Sequence, residues 1–227
     1  MNFKESELLA FIGINFFMGF HKLPSYKHYW SCSDDLGIGI IKRVMPRSRF
    51  EQFLQYLHIN DNSSIPANNK DKIYKIRPFV TSLNERFDIL DNGTRELSID
   101  ESMIIFKGRS TLKQYNPKKP IKRGYKLWCI ADQKGYIKKF EVYQGKDESA
   151  QDKFRGYGLG ERVVLSLTEG YWGQNRIIYF DNYFTSVFLL EKLRSEKTLA
   201  CGTIQRDRLG LPSNLEIDKN MKRGDFD

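Results

Sequence analysis

Two aspartates, Asp100 and Asp181, have the residue type and placement that chemistry requires. Asp100 sits inside an apolar run over 97–106, and Asp181 directly follows the compact apolar run 176–180. Both runs read as strands. If the two strands lie side by side, carboxylates 181 − 100 = 81 residues apart converge at one place. Convergent carboxylates suit Mg2+, which takes hard oxygen ligands and fills its shell with water and substrate phosphate. Two such ions, roughly 3.5–4 Å apart, activate an attacking water or 3′-hydroxyl and stabilise the leaving oxygen. Placement alone leaves a plainer reading open. Asp181-Asn182 could cap the helix that follows, and Asp100-Glu101 could be a solvated pair on an edge strand.

A basic stretch runs beside Asp100. Between Ser102 and Lys126 there are eight basic residues and no acidic one: Lys107, Arg109, Lys113, Lys118, Lys119, Lys122, Arg123 and Lys126. The formal net charge is +9, from 37 Lys+Arg against 28 Asp+Glu, so this segment nearly equals the whole excess. Such an excess points to a polyanionic partner. Tyr115, Pro117 and Pro120 mark an ordered loop larger than a simple hairpin. A basic loop beside metal-binding acids is suited to hold a scissile phosphate and its flanking duplex, with Tyr115 among the contacts. A merely solvated basic loop is the alternative. Arg206 and Arg208 are weaker additions, and nothing here reads base edges.

The elements that must position these residues follow two periodicities. Residues 1–95 read as a helical region: Leu8, Phe11, Ile12, Asn15 and Phe16 keep helical spacing, as do Phe50, Phe53, Leu54 and Leu57 after Pro46. Ile73 to Leu90 continue it in a helix begun near Pro78 and stopped by Asp91-Asn92-Gly93. Residues 96–227 change pattern. Strands are predicted over 97–106, 126–131 and 136–143, the last two joined by the turn Asp132-Gln133-Lys134-Gly135. A helix around Val163, a strand to Phe180, a helix around Leu189 and a strand over 199–204 follow. Three strands in meander and then alternating helices and strands is a mixed α/β (α+β) layout, that of a ribonuclease H-like sheet with flanking helices, although other α/β arrangements fit the same order.

Composition agrees with a globular chain, at 40% hydrophobic and 14% aromatic residues. Cys32, Cys129 and Cys201 are scattered and form no CxxC pair, so neither a zinc site nor a disulfide framework is indicated. His21, His28 and His58 lie away from the acids. The most apolar stretch, 8–20, is thirteen residues long and contains Asn15, which is too short for a membrane span.

Around the aspartates the wording becomes specific. The segment 98–128 contains Ser98-Ile99-Asp100-Glu101, Phe106-Lys107-Gly108-Arg109, Gln114-Tyr115-Asn116-Pro117-Lys118-Lys119-Pro120 and Gly124-Tyr125-Lys126. Asp181-Asn182-Tyr183-Phe184-Thr185-Ser186 is a second phrase, and Cys201-Gly202-Thr203 with Arg208 and Gly210-Leu211-Pro212 a third. Together with the helical words Leu9-Ala10-Phe11-Ile12-Gly13, Leu23-Pro24-Ser25-Tyr26 and Tyr29-Trp30-Ser31, they resemble the piggyBac transposases and the proteins derived from them. The resemblance spans nearly the whole chain.

That resemblance implies a DDE-type active site with Asp100 and Asp181 as its first two metal-binding acids. It implies Mg2+ or Mn2+ as cofactor, no small-molecule cofactor, DNA as partner and the nucleus as location. It leaves a homodimer open through the helical pre-catalytic region. It places the remaining acids well downstream, on a later helix. The chain ends at Asp227, and Asp218, Asp225 and Asp227 stand in a polar tail with no helical apolar frame. The expectation is therefore a catalytic domain cut short before its last acid, holding metal weakly and inactive on its own. The start, where 1–7 leads at once into an apolar helix, suggests a missing N-terminal part as well. The competing expectations are a domesticated non-catalytic DNA-binding or protein-interaction module, and a transposon remnant.

Overall fold

The computed structural model describes residues 3–90, 93–117, 119–145, 153–212, 214 and 222. They fall into two units, one ending at Asp61 and the other beginning at Asn62. The pattern changes from helix to strand at 95/96, but packing divides the chain earlier. The reason is that the last helix of the helical stretch docks on the sheet.

In the first unit, α1 (Glu5–Phe20) and α3 (Arg47–Tyr56) realise the predicted helical spacings, and α3 begins directly after Pro46. A short α2 (Gly39–Val44) and a 3-10 turn over Tyr26–Trp30 lie between them. Phe11, Ile14, Tyr29, Ile41, Met45, Phe50 and Phe53 are buried together. The Phe11 and Phe53 rings stack with centroids 5.1 Å apart. A bidentate pair ties the two long helices: Arg49 Nε and Nη2 donate to the two Glu7 carboxylate oxygens, both at 2.8 Å.

The second unit opens with α4 (Arg77–Ile89), whose Pro78 lies in the first turn, where an amide N–H has no helical partner to lose. Asn84 locks this helix to a strand edge, donating to the Phe140 carbonyl (3.0 Å) and accepting from its N–H (2.9 Å). Of the predicted helix stop, Asp91 and Asn92 lie outside the described residues. Gly93 adopts φ +74°, the left-handed conformation expected of it.

The sheet has six strands: β1 (Glu96–Ile105), β2 (Gln114–Tyr115), β3 (Arg123–Asp132), β4 (Ile137–Val142), β5 (Ile177–Phe180) and β6 (Leu199–Gly202). Their order is β2-β3-β1-β5-β6, with β4 also on β3. β3 runs antiparallel to β1, β2 and β4, while β1–β5 and β5–β6 are parallel. This is the mixed sheet that the element order predicts, with the two-residue β2 as an unpredicted addition. The β3–β4 turn forms as its residues dictate. The Asp132 carboxylate accepts the N–H groups of Lys134 and Tyr136, both at 2.9 Å, and Gly135 supplies φ +80°.

Alternation along the strands buries Leu97, Ile99, Trp128, Ile130, Ile178 and Phe180 on one face. Against them pack Val164 and Leu167 of α5 (Leu159–Thr168) and Leu189 and Leu193 of α6 (Val187–Ser195). Helix α4 covers the other face at β4, where Phe87 meets Phe140. Among the described residues no helix is long and apolar enough to cross a membrane.

Candidate active site

β1 is a central strand, paired on both sides, so Asp100 and Glu101 do not lie on an edge. The parallel register sets Ser98 against Tyr179 and Ile99 against Phe180. That register ends one residue short of Asp100 and Asp181, and alternation along β1 puts Asp100 on the face opposite the buried Ile99. Both aspartates are exposed.

Asp181 stands just past the end of β5 and opens a turn. Its carboxylate accepts the Tyr183 N–H at 3.0 Å. Its carbonyl accepts the N–H groups of Phe184 (3.2 Å) and Thr185 (3.3 Å) and the Thr185 hydroxyl (2.8 Å). The cap of α6 is Ser186, whose hydroxyl accepts from Leu189 N–H at 3.1 Å. The helix-capping role that spacing allowed Asp181 thus belongs to Ser186.

One lysine of the basic stretch meets the acids of β1, and a second lies on aromatic rings. Lys119 Nζ lies 3.3 Å from Glu101 Oε1 and 3.8 Å from Asp100 Oδ1. Lys126 Nζ lies 3.8 Å above the Trp128 ring, with Tyr183 at 5.4 Å and Tyr143 at 5.9 Å, a cation held on aromatic faces. Burial holds the Lys126 ammonium below the usual lysine value, although the negative charges of Glu101, Asp100 and Asp181 pull the other way.

The other predicted contacts are spread over the loop between β1 and β3. Lys107, Arg109, Lys122, Arg123 and Tyr115 are exposed. Arg123 and Tyr115 are cross-strand partners, with the guanidinium 5.3 Å from the ring centre. Lys113 donates to the Gly108 carbonyl at 2.7 Å. Lys118 lies outside the described residues, as do Asp218, Asp225 and Asp227.

Two hard oxygen donors from adjacent strands match the chemistry of a divalent cation such as Mg2+ or Mn2+. Cys129, the register partner of Asp100 on β3, adds no thiolate. Burial, and then the Asp100 charge, push its thiol up to about 11. Among the described residues no group of three or more His, Cys, Asp or Glu side chains is gathered for a metal.

Spacing gave no reason to link Arg208 to Asp181. Its Nη2 donates to the carbonyls of Asn182 and Tyr183, both at 2.9 Å, the two residues directly after Asp181. The contact spans 25 and 26 residues and arises only from the fold. The presence of an arginine in the third phrase was the only signal.

A mixed sheet of this order, with Asp100 in its central strand and Asp181 just past the end of the parallel neighbour, is that of the ribonuclease H-like core of a DDE-type transposase. A family profile described as Transposase IS4 matches residues 1–227. The chain is 37% identical over 230 residues to human PiggyBac transposable element-derived protein 3, covering 98% of this chain. It is 31% identical over 233 residues to human PiggyBac transposable element-derived protein 2, covering 100% of it. The chain spans 38% of the length of each of these relatives. A cryo-EM structure of the piggyBac transposase synaptic complex with hairpin DNA superimposes with a TM-score of 0.85 at 26% identity, over 98% of this chain and 46% of that one. The chain belongs to this transposase family and, within it, to the piggyBac transposases and piggyBac-derived proteins.

Proposed function

We propose that this chain is a DNA-binding, transposase-derived catalytic core in which Asp100 and Asp181 are two acids of a metal-dependent site for DNA strand cleavage and transfer. The observation that supports this most directly is that Asp100 and Asp181 each directly follow Ile99 and Phe180, the last partners of the parallel β1–β5 register. Asp100 and Asp181 would hold Mg2+ or Mn2+, which when bound supplies an activated oxygen nucleophile and charge on the leaving oxygen. The exposed Lys107, Arg109, Lys122 and Arg123 hold duplex phosphates beside the acids. The sequence-based set of contacts also contains Lys113, Tyr115, Lys118, Lys119 and Lys126. The piggyBac relative was solved with hairpin DNA, and DNA in the nucleus is the corresponding partner here.

Among the described residues no third acid is gathered with Asp100 and Asp181, and on those two carboxylates the site binds DNA without cutting it. The support is chemical: two carboxylates hold a second ion poorly, and loss of one ligating group from a preorganised site costs orders of magnitude in rate. The alternative is a module that keeps the fold and binds DNA with no metal. The Lys119 ammonium lying against Asp100 and Glu101 favours that reading.

The test is Mn2+ binding and nuclease activity on hairpin and duplex DNA, with Asp100→Asn and Asp181→Asn as controls. Mn2+ binding lost in both variants supports the site, and binding unchanged in both sinks it. Metal-dependent cleavage abolished by both substitutions overturns the non-cutting assignment.

A further inference from the structure

We infer that Arg208 is the positioning residue of Asp181. The inference rests on the reading of Asp181 as a metal-binding acid, but its geometric core does not. Asp181 lies beyond the last residue of β5, so no strand ladder fixes its backbone. Its direction is set by the turn 181–185, and the carboxylate is itself bonded into that turn through the Tyr183 N–H. Whatever moves the turn moves the carboxylate.

Arg208 holds this turn from outside. One nitrogen, Nη2, reaches both the Asn182 and Tyr183 carbonyls at 2.9 Å. The segment carrying Arg208 is itself anchored. Arg208 N–H donates to the Gln205 carbonyl at 3.0 Å, and Gly210, at φ +92°, lies so close to Val187 that an added Cβ would come within 3.3 Å of the Val187 Cβ. The segment that carries the guanidinium thus lies against the start of α6 at Gly210.

A second observation separates this from a surface phosphate contact. Arg208 Nε is buried with no hydrogen-bond partner among the described residues. A side chain that served only to meet DNA would turn that N–H to water. Keeping it buried is consistent with a guanidinium held for what its other nitrogen does. The turn in its grip also sets the Tyr183 ring, which stacks on Trp128 at 5.7 Å and helps enclose Lys126. Through one turn Arg208 therefore aligns an acid and the aromatic wall of a lysine.

The test compares Arg208→Met and Arg208→Lys in the full 227-residue chain. In metal-free protein, amide hydrogen exchange over 182–185 is expected to quicken about tenfold or more in Arg208→Met, with β3 unaffected. Arg208→Lys, which keeps a donor and a charge, is expected to restore most of the protection. Mn2+ dissociation, followed by electron paramagnetic resonance, is expected to weaken about tenfold in Arg208→Met, as when a residue that orients a metal ligand is lost. Unchanged exchange over 182–185 in Arg208→Met overturns the inference. Exchange that quickens equally through the whole sheet also overturns it, because that marks general destabilisation. If Asp100→Asn and Asp181→Asn leave Mn2+ binding intact, the metal-site reading fails, while the exchange data still decide the role of Arg208.

Discussion

The Lys119 ammonium lies 3.3 Å from the Glu101 carboxylate, so the basic loop folds back onto the acidic strand that precedes it. Asp100 is the next oxygen, at 3.8 Å. The positive charge sits where a divalent cation on Asp100 would feel it. Lys119→Gln is expected to tighten Mn2+ binding roughly 3–10-fold, less so at high salt, because a like charge is removed from a partly solvated site. Titration of the variant at two ionic strengths checks this. Weaker binding in the variant contradicts it.

Four cations of the loop, Lys107, Arg109, Lys122 and Arg123, are exposed. Each phosphate neutralised by such a cation adds about 0.9 to the steepness of log affinity against log salt on duplex DNA. Replacing all four with Gln is expected to reduce that steepness by about 3–4. Fluorescence anisotropy across a salt series reads the slope, and a slope equal to the parent's removes the loop from the DNA interface.

Gly202 makes a close approach that explains its place in the third phrase. A Cβ there would lie 2.6 Å from the Phe180 carbonyl oxygen and 2.5 Å from Thr185 Oγ1, at the two ends of the turn that carries Asp181. Gly202→Ala is expected to destabilise by about 1–3 kcal/mol through overpacking. Urea denaturation measures it, and a midpoint equal to the parent's refutes it.

The Arg49 hydrogen bonds hold the Glu7 carboxyl at about 2, down from its ordinary 4.5. A lowered folded-state value means that the unfolded chain binds the proton more readily. The stabilisation is therefore complete above about 4.5 and is lost as pH falls towards about 2. Glu7→Gln is expected to remove this part of the acid sensitivity, so that variant and parent converge at low pH. Urea midpoints over pH 2–6 provide the check.

Much of this was legible in the chain. Asp132-Gln133-Lys134-Gly135 carries its own turn chemistry, and Leu97, Ile99, Ile178 and Phe180 alternate as one buried face demands. Those local signals fix β1, β3, β4 and β5, and with them the neighbourhood of Asp100 and Asp181. The less legible features depend on contacts between segments far apart in sequence. Lys119 and Lys126 read equally well as phosphate ligands, and only the fold sets one against Glu101 and the other on Trp128. Asp181-Asn182 read as a credible cap, whereas the fold gives that role to Ser186. Arg208 reaches its carbonyls across a distance that no periodicity encodes.

The β1–β5 register has a kinetic side. It joins residues such as Glu96 and Ile177, whereas β1–β3 partners such as Leu97 and Asp132, and β5–β6 partners such as Ile177 and Leu199, lie far nearer in sequence. Loop closure makes the most distant pairing the costliest to form. Refolding is therefore expected to form the antiparallel β1–β3 and β3–β4 pairings before the β1–β5 ladder, with Asp100 in its strand before Asp181 is brought near it.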